Sequence, residues 1–208
     1  TRAQESNGYT LTTLGLFLRD HPPRDELTIV ENTAWSCSHR LDRWVVGCDC
    51  TPGSSRWKAG LRRALDNLAG DLDKVYEREA QRLGFAPYPL RDDYIVVALR
   101  EMDGQAFLAN HNMGHLSSDD SRQVIQLLEA QLYRQRMYAS CTFFFEDLGR
   151  YEPRYAIASA ARAIALTQCA TGDDLTDGFR RDLRVAISST SQRSGADILD
   201  EISSQADI

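Results

Sequence analysis

Apolar side chains recur at three- and four-residue steps between Trp57 and Leu83, at Leu61, Ala64, Leu65, Leu68, Leu72, Val75, Tyr76, Ala80 and Leu83. That spacing lines one face of a helix, so the segment predicts a long amphipathic α-helix. Ser54 or Ser55 can cap its start, and Gly84 with Pro87 and Pro89 marks its stop and a connector. Asp92 and Asp93 open a second, shorter helical stretch, Tyr94 to Leu99, and Gly104 precedes another from Gln105 to His111. The cluster Ser117, Ser118, Asp119, Asp120 reads as a cap for a run carrying Val124, Leu127, Leu128 and Leu132 that continues to Cys141.

Glu152 and Pro153 begin the next helix, in which Ala160, Ala161 and Ala165 beside Ile157 and Ile164 leave room for close packing before Gly172. Leu175, Phe179, Leu183 and Ala186 form a further helical face behind Asp173 and Asp174, and Ile198, Leu199 and Ile202 form a last one after a polar loop from Ser188 to Gly195. Only Leu27 to Val30 reads as a strand. The expected fold is mainly α, a bundle of about five to seven helices with one extended segment and an irregular Trp/Cys/His-rich loop near the N-terminus.

The 208 residues, 42% of them apolar, suffice for a proper core. A net charge of −6 supplies no basic stripe for a phosphate backbone, so nucleic acid is not an expected partner. No apolar run of membrane-spanning length occurs and the first eight residues are polar, so neither a membrane nor a signal peptide is expected. A chain that starts at Thr1 fits an excised piece, with residues 1–8 as disorder or linker from an upstream domain and 9–208 as the helical domain. Five cysteines, an odd number, do not suggest a secreted disulfide framework. Buried thiols or a small metal site in a cytoplasmic chain fit better.

Periodicity fails between Val30 and Trp57, where two of three tryptophans and three of five cysteines fall. Costly residues in an irregular segment mark a candidate site. Trp35 and Trp44 offer flat apolar faces to sugar rings, while Glu31, His39 and Arg43 can hydrogen-bond hydroxyls. Packing of either ring in a core is the competing reading. Cys37-x-His39 and Cys48-x-Cys50 supply four ligands suited to zinc, but a single intervening residue makes each pair hard to converge. Buried thiols or a Cys48/Cys50 redox pair compete with the metal.

No complete catalytic machine is visible. Glu146/Asp147 and Asp92/Asp93 are adjacent pairs whose side chains diverge on a helix, so they read as caps or solvated acids rather than a glycosidic acid/base pair. His111 and His115 are four apart, but Gly114 between them argues for a loop or helix end over a metal-binding helix. No nucleophile triad or phosphate-cradling glycine loop appears.

The blocks Glu31-Asn32-Thr33-Ala34-Trp35-Ser36-Cys37-Ser38-His39, Arg43-Trp44 and Cys48-Asp49-Cys50 resemble an uncharacterised helical domain found downstream of glycoside hydrolase family 57-like catalytic barrels. Arg91-Asp92-Asp93-Tyr94-Ile95, Phe107 to His111, Met137 to Cys141, Phe144 to Asp147 and Ala160 to Ile164 extend the resemblance in the same order. Arg40 stands where the family pattern tends to have glycine, and Thr142-Phe143 replaces a Gly-Trp pair. The resemblance implies an accessory domain that closes the cleft of an upstream barrel in the same polypeptide. Trp35, His39 and Trp44 would then face an α-glucan or related oligosaccharide, and bond cleavage would belong to the barrel.

Overall fold

The computed structural model describes residues 10–51 and 53–205. The chain divides into two compact units, Thr1–Thr33 and Ala34–Ile208. The expected linker at residues 1–8 lies outside the described residues.

In the first unit, α1 (Leu14–Asp20) was not anticipated; Thr13 caps it by accepting a hydrogen bond from the Leu16 amide at 3.3 Å. The expected strand at Leu27 to Val30 does not form, and residues 22–30 have no regular secondary structure. β-branched residues favour a strand only where a neighbouring strand takes up the backbone hydrogen bonds, and no sheet occurs among the described residues.

The second unit is helical, as expected. It contains α2 (Asp42–Val45), α3 (Arg56–Leu83), α4 (Pro87–Asp93), α5 (Ile95–Ala98), α6 (Gly104–Asn110), α7 (Ser118–Arg136), a 3-10 turn (Ser140–Phe143), α8 (Tyr151–Thr171), α9 (Thr176–Leu183) and α10 (Gly195–Gln205). These nine α-helices among the described residues exceed the expected five to seven because short pieces such as α2, α4 and α5 give little periodic signal. Pro87, taken for part of a connector, instead occupies the first turn of α4, where its missing N–H costs nothing. Asp92 and Asp93 consequently close α4 rather than opening the next helix. The run expected to reach Cys141 stops at Arg136, and Cys141 lies in the 3-10 turn.

α3 spans the unit and joins two apolar clusters. Its first half carries Trp57, Leu61, Leu65 and Leu68 into a core with Met137, Phe143, Ile157 and Phe179. Its second half carries Val75 and Tyr76 into a cluster with Leu90, Phe107, Leu127 and Leu128. Gly84, at φ 77°, ends α3, and Gly172, at φ 82°, ends α8. The small face of α8 packs closely, with Ala156, Ala160 and Ala163 wholly buried. Gly60 permits the tightest approach to α3: a Cβ there would lie 3.1 Å from the Ala186 backbone.

Asp147 is buried, contrary to its reading as a cap or solvated acid. It accepts hydrogen bonds from Ser188 Oγ at 2.9 and 3.0 Å, Ser189 Oγ at 3.2 Å and the amides of Thr190 at 3.2 Å and Gly149 at 2.8 Å. These bonds pin the loop between α9 and α10. Glu201 then ties α10 down, its carboxylate meeting Arg154 and Arg193, each at 2.6 Å. No helix among the described residues is long and apolar enough to cross a membrane.

Candidate metal centre

Two tight turns build the irregular segment. Ala34 and Cys37 form an antiparallel bridge, leaving Trp35 and Ser36 at the corner. Beyond His39 the chain passes through Arg40 in the left-handed region, φ 57°, and enters α2. It turns again at Gly47, φ 90°, where a Cβ would meet the Ser55 carbonyl oxygen at 2.7 Å. Only glycine fits both the backbone and the space at this position. Arg40 occupies a conformation that costs a side-chain-bearing residue about 1–2 kcal/mol. Relief of that strain, less the added freedom of the unfolded chain, leads us to expect Arg40→Gly to stabilise by about 0.5–1 kcal/mol. A higher urea midpoint at unchanged slope would show it, and an unchanged or lower midpoint would refute it.

The two turns bring Cys37, His39, Cys48 and Cys50 together, with their ligand atoms all within 4.8 Å of one another. Cys37 Sγ lies 3.5 Å from Cys48 Sγ and 3.8 Å from Cys50 Sγ. His39 Nδ1 lies 3.2 Å from Cys50 Sγ and 3.7 Å from Cys37 Sγ. A tetrahedral zinc with ordinary bond lengths places two sulfurs about 3.8 Å apart and sulfur and nitrogen about 3.5 Å apart. These four distances bracket those values. The convergence overturns the expectation from one-residue spacing, because tight turns fold each short pair inward. Cys37 and Cys48 are buried, while His39 and Cys50 are exposed. All four donors are soft or borderline, the set that suits zinc.

Electrostatics favours charge on the inner thiol. Burial alone would raise the Cys48 pKa, but the Cys50 amide, the Cys37 and Cys50 thiols and Arg43 outweigh it and bring it down to about 7. The Cys50 thiol is pushed up, chiefly by its hydrogen bond with Cys37 and then by partial loss of solvating water beside the other thiols.

Polar bonds seat this knot on the helical core. Trp44 Nε1 donates to the Ser140 carbonyl at 2.9 Å, and Arg62 donates to the Trp44 carbonyl at 3.3 Å. Thr51 Oγ1 donates to the Phe144 carbonyl at 3.3 Å, and Trp57 Nε1 to the Glu146 carbonyl at 3.2 Å.

The residues singled out for sugar contact have different surroundings. Trp44 packs against the core, and Arg43 is buried with its guanidinium 4.6 Å from the Phe144 ring. His39 turns Nδ1 toward the sulfurs, and Glu31 belongs to the first unit. Trp35 is 95% exposed at its corner. Phe143 is buried and stacked on Trp57, with ring centroids 6.4 Å apart.

The other cysteines and histidines of the second unit stand apart. Cys141 and Cys169 are exposed despite their apolar sequence surroundings. His111 and His115 lie beyond the end of α6, with His115 Nδ1 3.0 Å from the Asn112 carbonyl oxygen. Sequence reasoning overlooked Lys58, which is wholly buried and within electrostatic range of Cys48 and Cys37. Its signal was present: Lys58 precedes Leu61 by three residues and Leu65 by seven, which puts a cation on the apolar face of α3.

No curated protein and no solved structure is significantly similar to this chain. The four donor residues lie upstream of the span that matches a known family. That span, residues 54–207, covers most of the helical unit, and the chain belongs to the family described as "Domain of unknown function (DUF3536)".

Proposed function

We propose that this chain is a metal-stapled accessory domain, in which Cys37, His39, Cys48 and Cys50 hold one structural Zn2+. The convergence of four donor atoms within 4.8 Å carries this reading. Four protein donors complete a tetrahedron and leave no open position for a reacting water, which makes the site structural rather than hydrolytic. The metal's part is to fix the edge that displays Trp35.

That exposed indole is the group left to meet a partner, and its flat face suits a sugar ring. The resemblance of residues 31–50 to the region downstream of family 57-like barrels supports an upstream catalytic barrel as the partner and an α-glucan or related oligosaccharide as the ligand. Three thiols reserved for a metal suit a reducing compartment such as the cytoplasm.

Elemental analysis of the full chain, purified without chelator, tests the staple and is expected to give one zinc per molecule. A zinc content near zero, with no rise in Tm on adding zinc, refutes it. The sugar reading is tested separately: Trp35→Ala in the metal-loaded protein is expected to abolish quenching of tryptophan fluorescence by malto-oligosaccharides. Equal quenching in both proteins, or none in the unaltered protein, removes the saccharide and leaves the staple.

A further inference from the structure

Two cations are buried against the knot, each with a nitrogen that has no hydrogen-bond partner among the described residues. Lys58 is 0% exposed, and its Nζ has no hydrogen-bond partner among the described residues. Its one favourable neighbour on α3 is the Trp57 ring, 5.6 Å away. Arg43 is 5% exposed, and its Nε likewise lacks an acceptor. Arg43 faces the Cys48 thiol, while Lys58 lies within electrostatic range of Cys48 and Cys37 on one side and of Arg43 on the other. Glu146, the carboxylate within range of Lys58, is already paired with Arg150 at 2.8 Å.

A buried charge with unmatched donors is strongly unfavourable, and a second cation beside it makes it worse. In the metal-free cluster Lys58 and Arg43 repel each other, and Cys48 is the thiol whose charge is favoured to offset them. Loading adds to that charge. Zn2+ takes all three cysteines as thiolates, their remaining protons passing to solvent, and three thiolates with a neutral imidazole leave the centre at −1. Both cations then face an anion.

We propose that Lys58 and Arg43 are built-in counter-charges for a three-thiolate, one-imidazole Zn2+ centre, so that the metal stabilises the knot by neutralising them as well as by joining its turns. This rests on the zinc reading and deepens it: the site is matched to a divalent metal that leaves a net negative centre. Partners around a metal's ligands commonly change affinity by about 10–100-fold.

Lys58→Met keeps the length of the side chain and removes its charge; Lys58→Arg keeps the charge. Zinc affinity is measured on the full chain by competition with a chromophoric chelator, and Tm is measured on metal-loaded and metal-stripped samples. Lys58→Met is expected to weaken zinc binding at least about tenfold. It should also raise the Tm of the stripped protein by a few degrees, while Lys58→Arg stays within threefold of the unaltered affinity. A side chain that merely fills space would lower both Tm values together and leave affinity unchanged, and that result overturns the proposal. If Lys58→Met does not fold, the shift of the thiolate-to-metal charge-transfer band between Co2+-loaded Lys58→Gln and unaltered protein decides, and an unshifted band overturns it. The parent reading fails distinguishably: unaltered protein would then bind no zinc, and both ideas fall before any variant is made.

Discussion

Cys37→Ser is expected to abolish stoichiometric zinc and to lower Tm by about 10 °C in zinc-containing buffer. Cys37 is the most connected donor of the knot, within 3.8 Å of Cys48, Cys50 and His39. Its loss leaves three donors and opens a position to water. Free zinc at a thousand times its Kd stabilises a protein by about 4 kcal/mol. In a domain of this size each kcal/mol moves Tm by about 2–4 °C. Cys169→Ser, at an exposed thiol on α8, is the control and is expected to leave zinc content and Tm unchanged. Equal melting of the Cys37 variant and the unaltered protein in zinc sinks the staple. Because protons compete with the metal for thiolate and imidazole, the stabilisation should fade as pH falls below about 7.

Asp147→Ala is expected to cost about 3 kcal/mol of unfolding free energy. Its carboxylate gathers two hydroxyls and two backbone amides, and its removal strands Ser188, which is wholly buried. Each buried donor left unmatched costs about 1–3 kcal/mol, partly recovered by entering water. Urea unfolding of the variant measures the loss, and a change below about 0.5 kcal/mol refutes the role. The pH dependence has a definite sign. Burial opposes ionisation of Asp147, but the bonds from Gly149, Ser188 and Thr190 prevail and hold its pKa below the usual 3.8. A depressed folded pKa gives stability that is full above the unfolded value and lost as pH falls through the folded one. The unaltered protein should therefore lose this contribution below about pH 4, while the Asp147→Ala profile is flatter there. Glu201, held at about 2 by Arg154 and Arg193, loses its contribution over the same acidic range in both proteins.

Helices read well from sequence where many turns repeat one pattern. α3 and α8 carry long apolar or small-residue faces and end on left-handed glycines, so periodicity and stop signals agree. α4 was hidden because proline reads as a breaker unless its place in the first turn is known. The extended segment at Leu27 to Val30 failed for the opposite reason: side-chain preference was present without a partner strand.

At the candidate site, the residue types were legible and their convergence was not. Whether Cys37-x-His39 and Cys48-x-Cys50 meet depends on the backbone at Arg40 and Gly47, which spacing does not reveal. The resemblance puts glycine where Arg40 stands, a clue of that kind, since glycine is the usual residue at a left-handed position. Trp44 and Arg43 could not be assigned to packing before their neighbours Ser140 and Phe144 were known, almost a hundred residues away along the chain.

The knot has an inner half, Cys37 and Cys48, and an outer half, His39 and Cys50. For a metal this makes strength and permanence separate properties. The outward imidazole and thiol would meet solvent and any chelator, while the buried sulfurs would be held away from both. The proposed staple would thus combine tight binding at equilibrium with metal exchange that needs no global unfolding.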